Sequence, residues 1–289
     1  MPQDFNFTRT VVSHGWYALP PFSYDEKTGV LERVLELQDG SIVNCSLNSG
    51  RRSVQARLEV KSNESDQTTE IRKQLRTCLR LDEDFTEFHR DVSLHKEFRW
   101  LQGTGSGRLL RAPTAFEDLV KMLCTTNCTW ALTTVIVTNL VRLLGRRAPN
   151  GNSTFPSPSA IASKSETFLR RKIKAGYRAP YLLELSRRVA SGELNVEAWR
   201  ATSLSTADLL KQLRAIKGIG PYAAENMLKL FGRYDHLGLD SWVRARYYRL
   251  HHAGRKVKDT TIQARYNKYG KWRGLMFWLE MTRSWHERG

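Results

Sequence analysis

The chain has 289 residues, 40% of them hydrophobic, enough for a large buried core and too many for a disordered chain. No uninterrupted apolar run approaches the roughly 18 residues that cross a bilayer, and the N-terminus lacks the basic and apolar regions of a signal peptide, so an intracellular protein is expected, in cytoplasm or nucleoid, or in the nucleus of a eukaryote. The net charge of +17 is unevenly spread: residues 1–100 carry 14 basic and 16 acidic side chains, whereas residues 101–289 carry 32 and 13. A polyanion is the natural partner of the C-terminal two thirds, since neutralised phosphates would supply much of the affinity.

The first segment reads as strand. Val30 to Leu37 and Ser41 to Leu47 flank the hairpin signal Asp39-Gly40, and Asn48-Ser49-Gly50 turns the chain into a third strand from Ser53 to Val60. From Thr69 the period changes, with Ile71, Leu75, Cys78 and Leu79 on one helix face. Ser13-His-Gly-Trp-Tyr17 is rich in aromatic rings and reads as core packing first and as a pocket segment second. Four cysteines, at 45, 78, 124 and 128, have neither CxxC spacing nor enough ligands for a closed zinc site, so they read as buried, reduced thiols.

After residue 80 the pattern is helical. Thr114-Ala-Phe-Glu117 is a capping box that opens a helix to about Thr125; Asn127 sits in a break; a second helix runs from about Thr129 to Leu144 and stops at Gly145. A loop at 146–159 precedes helices at about 165–174, 179–190 and 195–201. Ser205-Thr-Ala-Asp208 starts the next helix, and others follow at about 221–231, 241–252, 259–267 and 272–285. The predicted fold class is α+β, with a small antiparallel β domain over 1–68 and a helical domain over 69–289.

One stretch points to chemistry. Leu213-Arg-Ala-Ile-Lys-Gly-Ile-Gly-Pro-Tyr222 reads as helix, tight hairpin, helix, within a unit spanning 206–231. Gly218 and Gly220 let the backbone turn and approach a ligand closely, and Pro221 suits the first helical position. The N–H groups of the turn would then point at an anion, with Ile219 and Ile216 anchoring it and Lys217 facing phosphate. Asp240 follows, at the start of the helix Ser-Trp-Val-Arg. It serves as an N-cap by position, and a charge facing a substrate is compatible with that.

The arrangement resembles the helix-hairpin-helix (HhH-GPD) DNA glycosylase superfamily, most closely the 8-oxoguanine DNA glycosylases. Leu75-Arg-Thr-Cys-Leu-Arg-Leu-Asp82, Gly107-Arg-Leu-Leu-Arg111, Cys124-Thr-Thr-Asn127, Gly176-Tyr-Arg-Ala179 and Tyr269-Gly-Lys-Trp272 resemble stretches of those enzymes in the same order, and the β segment fits the family's N-terminal domain in type. The resemblance implies double-stranded DNA with a damaged base as partner, no membrane, and a monomer. Asp240 would be the catalytic carboxylate, stabilising the positive charge that develops on the deoxyribose as the base departs and orienting the attacking water. Asn127, Tyr177 and Arg178 would contact DNA around the flipped nucleotide. Tyr222, Asn226, Trp242 and Trp278 would line the base pocket, with Phe277 competing with Trp278 by a one-residue shift.

Two departures matter. In members that also nick the strand, a lysine forms a Schiff base two residues after the second hairpin glycine; here that position is Tyr222, as in the alkyladenine-type members. Leu132 stands where the oxoguanine enzymes carry an arginine for the opposite cytosine. The expected activity is therefore hydrolysis of the N-glycosidic bond of a damaged purine, alkylated before oxidised, leaving an abasic site. The alternatives are a bifunctional 8-oxoguanine glycosylase/lyase that uses another lysine, such as Lys217, and a DNA-binding module without catalysis. No cofactor is implied beyond a structural cation at the hairpin–phosphate contact; an iron–sulfur cluster would need four cysteines after the hairpin, and no cysteine lies beyond 128.

Overall fold

In a computed structural model, residues 2–51, 53–59, 65–148 and 150–286 are described. Four strands form one antiparallel meander in the order β1-β2-β3-β4: β1 Phe22–Asp25, β2 Val30–Glu36, β3 Ile42–Ser49 and β4 Val54–Glu59. The last three match the expected strands. β1 was missed because only four residues pair, Phe22 opposite Arg33 through Asp25 opposite Val30, too few for alternation to register. Opposite pairs Leu31–Leu47, Arg33–Cys45 and Leu35–Val43 share a face, and all six side chains are buried. The strand-to-helix change falls where expected, although Val60, the predicted end of the third strand, lies outside the described residues.

Fourteen α-helices are described: α1 Phe7–Val11, α2 Ser65–Leu79, α3 Thr86–Ser93, α4 Ala115–Thr125, α5 Trp130–Leu144, α6 Pro158–Ala162, α7 Glu166–Arg171, α8 Ala179–Ala190, α9 Thr206–Arg214, α10 Pro221–Leu230, α11 Ser241–His251, α12 Asp259–Tyr266, α13 Arg273–Met281 and α14 Arg283–His286. The predicted helix over 272–285 is two, because the chain leaves helical geometry at Thr282 (φ −100°, ψ 9°). Chain contacts divide the molecule into two units, Met1–Glu197 and Ala198–Gly289, so the β-sheet shares its unit with the helices through α8 and the division falls at 197/198 instead of 68/69. The α+β class holds.

The reason is visible on α4, every residue of which from Ala115 to Cys124 is buried. Thr114 accepts the Glu117 N–H at 3.2 Å, half of the predicted capping box. The other half does not form, because the Glu117 carboxylate turns inward to take a bidentate Arg33 guanidinium from β2 at 2.7 and 2.6 Å and the Lys121 ammonium at 2.7 Å. Burial alone would push Glu117 up; Arg33 and Lys121 hold it down to about 2. The neighbouring Asp118 accepts from the Trp16 indole at 2.8 Å and from the Ala112 N–H at 2.9 Å.

Gly145 ends α5, as expected, in extended backbone (φ −72°, ψ 154°). It is glycine for space: a Cβ there would lie 2.1 Å from the Thr154 carbonyl oxygen. Ser13, His14 and Trp16 are buried, which favours the core reading of the N-terminal aromatic segment. His14 donates its Nε2–H to the Leu110 carbonyl at 2.5 Å, and Ser13 Oγ accepts the Leu110 N–H at 2.9 Å. Cys45 and Cys124 are buried, which pushes both thiols up to about 12 and leaves them protonated.

Candidate active site

The second unit holds the hairpin. Ser205 caps α9 by accepting the Asp208 N–H at 3.1 Å, and Leu209 and Leu213 bury the helix's inner face. The chain then turns through Ile216 N–H to Leu213 O (3.1 Å) and Ile219 N–H to Ile216 O (3.0 Å). Ile216 and Ile219, each 3% exposed, anchor the turn as predicted. The two glycines serve different ends. Gly218 has φ +87°, a left-handed conformation that disfavours a side chain. Gly220 has an ordinary φ of −80°, is exposed, and a Cβ built on it would meet no atom within 4 Å. Pro221 opens α10, its N-cap Gly220 supplies no side-chain hydrogen bond, and Lys217 stands exposed on the turn.

From α10 the chain runs through residues 231–240 to α11. Asp240 is the N-cap of α11, accepting the Val243 N–H at 2.7 Å with one carboxylate oxygen. Among the described residues its second oxygen has no hydrogen-bond partner, and the side chain is half-buried. A helix N-terminus stabilises the anion that such a carboxylate must be to face a developing cation.

Two residues beyond Asp240, Trp242 is 41% exposed. Its ring lies 6.3 Å from that of Trp278 on α13 and 5.5 Å from that of Trp285 on α14, with Trp278 and Trp285 edge to face at 5.9 Å. Two predicted pocket residues are thus brought together, with a third tryptophan that sequence reasoning missed because α14 was folded into a longer helix. Of the two adjacent aromatics, Phe277 is fully buried against Tyr266, and Trp278 is half-buried. Tyr222 is also half-buried, at the start of α10.

Asn226 is held by three hydrogen bonds. Its Nδ2 donates to the Tyr222 carbonyl at 2.9 Å and the Gly238 carbonyl at 3.4 Å, and its Oδ1 accepts from the Lys229 ammonium at 3.1 Å. The amide therefore ties α10 to the segment that leads into Asp240. Lys229 carried no signal in the sequence, since a lysine near a helix end reads as solvated. Here it is 2% exposed and donates to the Leu237 carbonyl at 2.8 Å. Burial drives its ammonium down to about 7, against the attraction of Glu225 and Asp240.

In the first unit, Asn127, Tyr177 and Arg178 come together. Asn127 takes a left-handed φ of +46° after α4. The carbonyl of the preceding Thr126 accepts the Tyr177 hydroxyl at 3.0 Å and Arg178 Nε at 3.0 Å, with Arg178 Nη2 on the same oxygen. Tyr177 is 44% exposed, but Arg178 is 2% exposed, with its guanidinium 4.5 Å from the Tyr177 ring centre. Arg178 thus braces the Asn127 turn and the Tyr177 ring through its guanidinium. Leu132, on the first turn of α5, is 37% exposed.

This architecture is shared with DNA glycosylases of known structure. A search with family models returned no match. A probable N-glycosylase/DNA lyase of Methanothermobacter thermautotrophicus is 28% identical over 202 residues, a match that spans 62% of this chain and 62% of that relative. Among solved structures, a 3-methyladenine DNA glycosylase from Archaeoglobus fulgidus superposes with a TM-score of 0.77 over 98% of this chain and 97% of its own, at 20% identity. The 8-oxoguanine glycosylase/lyase of Clostridium acetobutylicum gives a TM-score of 0.74 over 96% and 93%, also at 20% identity. The shared fold extends over nearly the whole chain, and the resemblance read from its motifs stands. Among the described residues no helix is long and apolar enough to cross a membrane.

Proposed function

We propose that this chain is a monofunctional DNA glycosylase of base excision repair, which hydrolyses the N-glycosidic bond of a damaged purine rotated out of the duplex and leaves an abasic site. The hairpin amides and Lys217 hold a backbone phosphate, and Tyr177 and Asn127 contact the duplex. The extruded base stacks on Trp242 and Trp278 beside Tyr222. As the glycosidic bond lengthens, positive charge spreads over the deoxyribose ring, and the Asp240 carboxylate stabilises it and orients the attacking water.

The observation that carries this reading is Asp240 itself: one oxygen fixed by the Val243 amide, the other unengaged among the described residues, two positions from an aromatic cluster. Tyr222, where a lyase would carry its lysine, supports hydrolysis by water. Stacking on tryptophan favours electron-poor, cationic purines, and Leu132 offers no cytosine-reading head group, so alkylated bases are favoured over oxidised ones. A second reading, glycosylase with lyase activity through another lysine, rests on the name of the Methanothermobacter relative, an N-glycosylase/DNA lyase.

A panel of duplexes, each with one N7-methylguanine, ethenoadenine, hypoxanthine or 8-oxoguanine, separates the readings. The expected result is an alkali-sensitive site on an alkylated duplex, no nick before alkali, and no adduct with borohydride. Nicking without alkali together with borohydride trapping would establish the lyase; no alkali-sensitive product on any duplex would leave a binding module.

A further inference from the structure

The segment carrying Asp240 is gripped from two sides, and one grip is unusual for its chemistry. On the α13 side, the Gly274 N–H donates to the Tyr234 carbonyl at 2.6 Å, Arg273 Nε donates to the Asp235 carbonyl, and a Cβ at Gly274 would stand 1.9 Å from the His236 carbonyl oxygen. These are ordinary backbone locks. On the α10 side, Tyr222, Asn226 and Lys229 share one helix stripe, four and then three residues apart. The Glu225 carboxylate accepts the Gly238 N–H at 2.7 Å, Asn226 donates to the Gly238 carbonyl, and the Lys229 ammonium joins Asn226 Oδ1 to the Leu237 carbonyl. Gly238 (φ +67°) passes so close that a Cβ would lie 2.6 Å from both Asn226 Nδ2 and Lys229 Nζ.

A buried ammonium is costly, and an apolar side chain of the same length would fill this place without that penalty. Neutral donors could satisfy a carbonyl as well. What a cation adds is attraction toward carboxylates, and Glu225 and Asp240 both attract the Lys229 ammonium. On the reading of Asp240 as the catalytic carboxylate, we infer that Lys229 is a positioning residue for excision: its buried ammonium, through Asn226 and the Leu237 carbonyl, fixes the 237–240 segment and draws the Asp240 carboxylate into its working place. Lys229 touches neither sugar nor base and acts through Asp240. The charged and titratable groups around it include Glu225 on its own helix, Asp240 at the start of α11, and His236, whose ring lies 3.9 Å from Glu225.

The inference gives Lys229 a signature that a packing role lacks, because the ammonium loses its proton within the working pH range, at about 7. Lys229→Met keeps the length and removes the charge. Single-turnover excision of N7-methylguanine from a duplex is measured for wild type and K229M from acid to alkaline pH, with circular dichroism to confirm the fold. The ratio of the two rates cancels the titration of the base itself. It is expected to reach about tenfold to a hundredfold where Lys229 is charged and to shrink as pH rises through neutrality, with duplex affinity unchanged. A ratio near one at every pH, or a ratio that does not vary with pH, overturns the inference. If K229M does not fold, lysine-selective NMR decides on the intact protein. One lysine should titrate far below the others and move lower still in D240N; ordinary titration of every lysine, or no shift in D240N, overturns it. A D240N protein that excises at the wild-type rate would instead overturn the reading of Asp240, leaving the two failures distinct.

Discussion

Asp240 holds two jobs that a substitution can pull apart. Asparagine caps helices as well as aspartate does, through the same Oδ1, so Asp240→Asn should keep the Val243 N–H satisfied and the unfolding midpoint close to wild type. It removes the charge that would face the sugar cation, and the loss expected is about a hundredfold or more in single-turnover excision with DNA affinity preserved. Asp240→Ala should add about 1 kcal/mol of instability from the lost cap. If D240N and wild type excised at similar rates while D240A was unstable, the residue would be a cap and nothing more. The carboxylate was legible in the sequence because an acid before an apolar-periodic helix is a local signal. Lys229 was not, because its burial is created by residues 237 and 238 folding back over α10, a contact between positions eight or nine residues apart with no periodic trace. Arg178 is a further case. Its motif groups it with Asn127 and Tyr177, but only the fold shows its guanidinium on the Thr126 carbonyl.

At the scale of elements, the hairpin separates two reasons for glycine. Gly218→Ala places a side chain at φ +87°, and an instability of about 1 kcal/mol should follow. Gly220→Ala meets an allowed backbone and open space, so the protein alone should be as stable as wild type. Its added methyl stands where a phosphate would approach the start of α10, and duplex affinity should fall. Thermal melts and duplex titrations of both variants test the assignment, and a G220A protein that binds DNA as wild type does would move the phosphate contact elsewhere. Helix starts were well read from sequence at α4, α5, α9 and α11, since Thr114, Thr129, Ser205 and Asp240 each make the cap bond that their residue type promised. Elements of four or five residues, β1, α1 and α6, were missed because so short a span holds barely one period of either pattern. Glu117 shows how tertiary chemistry overrides a local motif: a bidentate guanidinium and an ammonium outbid one backbone N–H.

For the molecule as a whole, buried titratable groups set a direction of pH dependence. His14 is buried neutral, its pKa pushed by desolvation from 6.5 down to about 4. The unfolded chain therefore takes up a proton that the folded chain refuses in this window, and stability must fall as pH drops from about 6.5 to 4. Glu117 extends the same trend. Its folded pKa of about 2 lies below the ordinary 4.5, so the stability it contributes is present above 4.5 and lost as pH falls toward 2. Replacing it by glutamine at neutral pH leaves Arg33 and Lys121 buried without their anion, which should cost about 3–5 kcal/mol. Acid also raises a net charge already at +17, so self-repulsion acts in the same sense and must be separated from the histidine. Urea midpoints of wild type and H14Q at a series of pH values achieve this, because self-repulsion is common to both proteins. The wild type should lose on the order of 3 kcal/mol more than H14Q between pH 6.5 and 4. Equal slopes for the two proteins would show that His14 takes its proton as readily in the folded chain as in the unfolded one, and that the Ser13–His14 clamp on Leu110 is open to water.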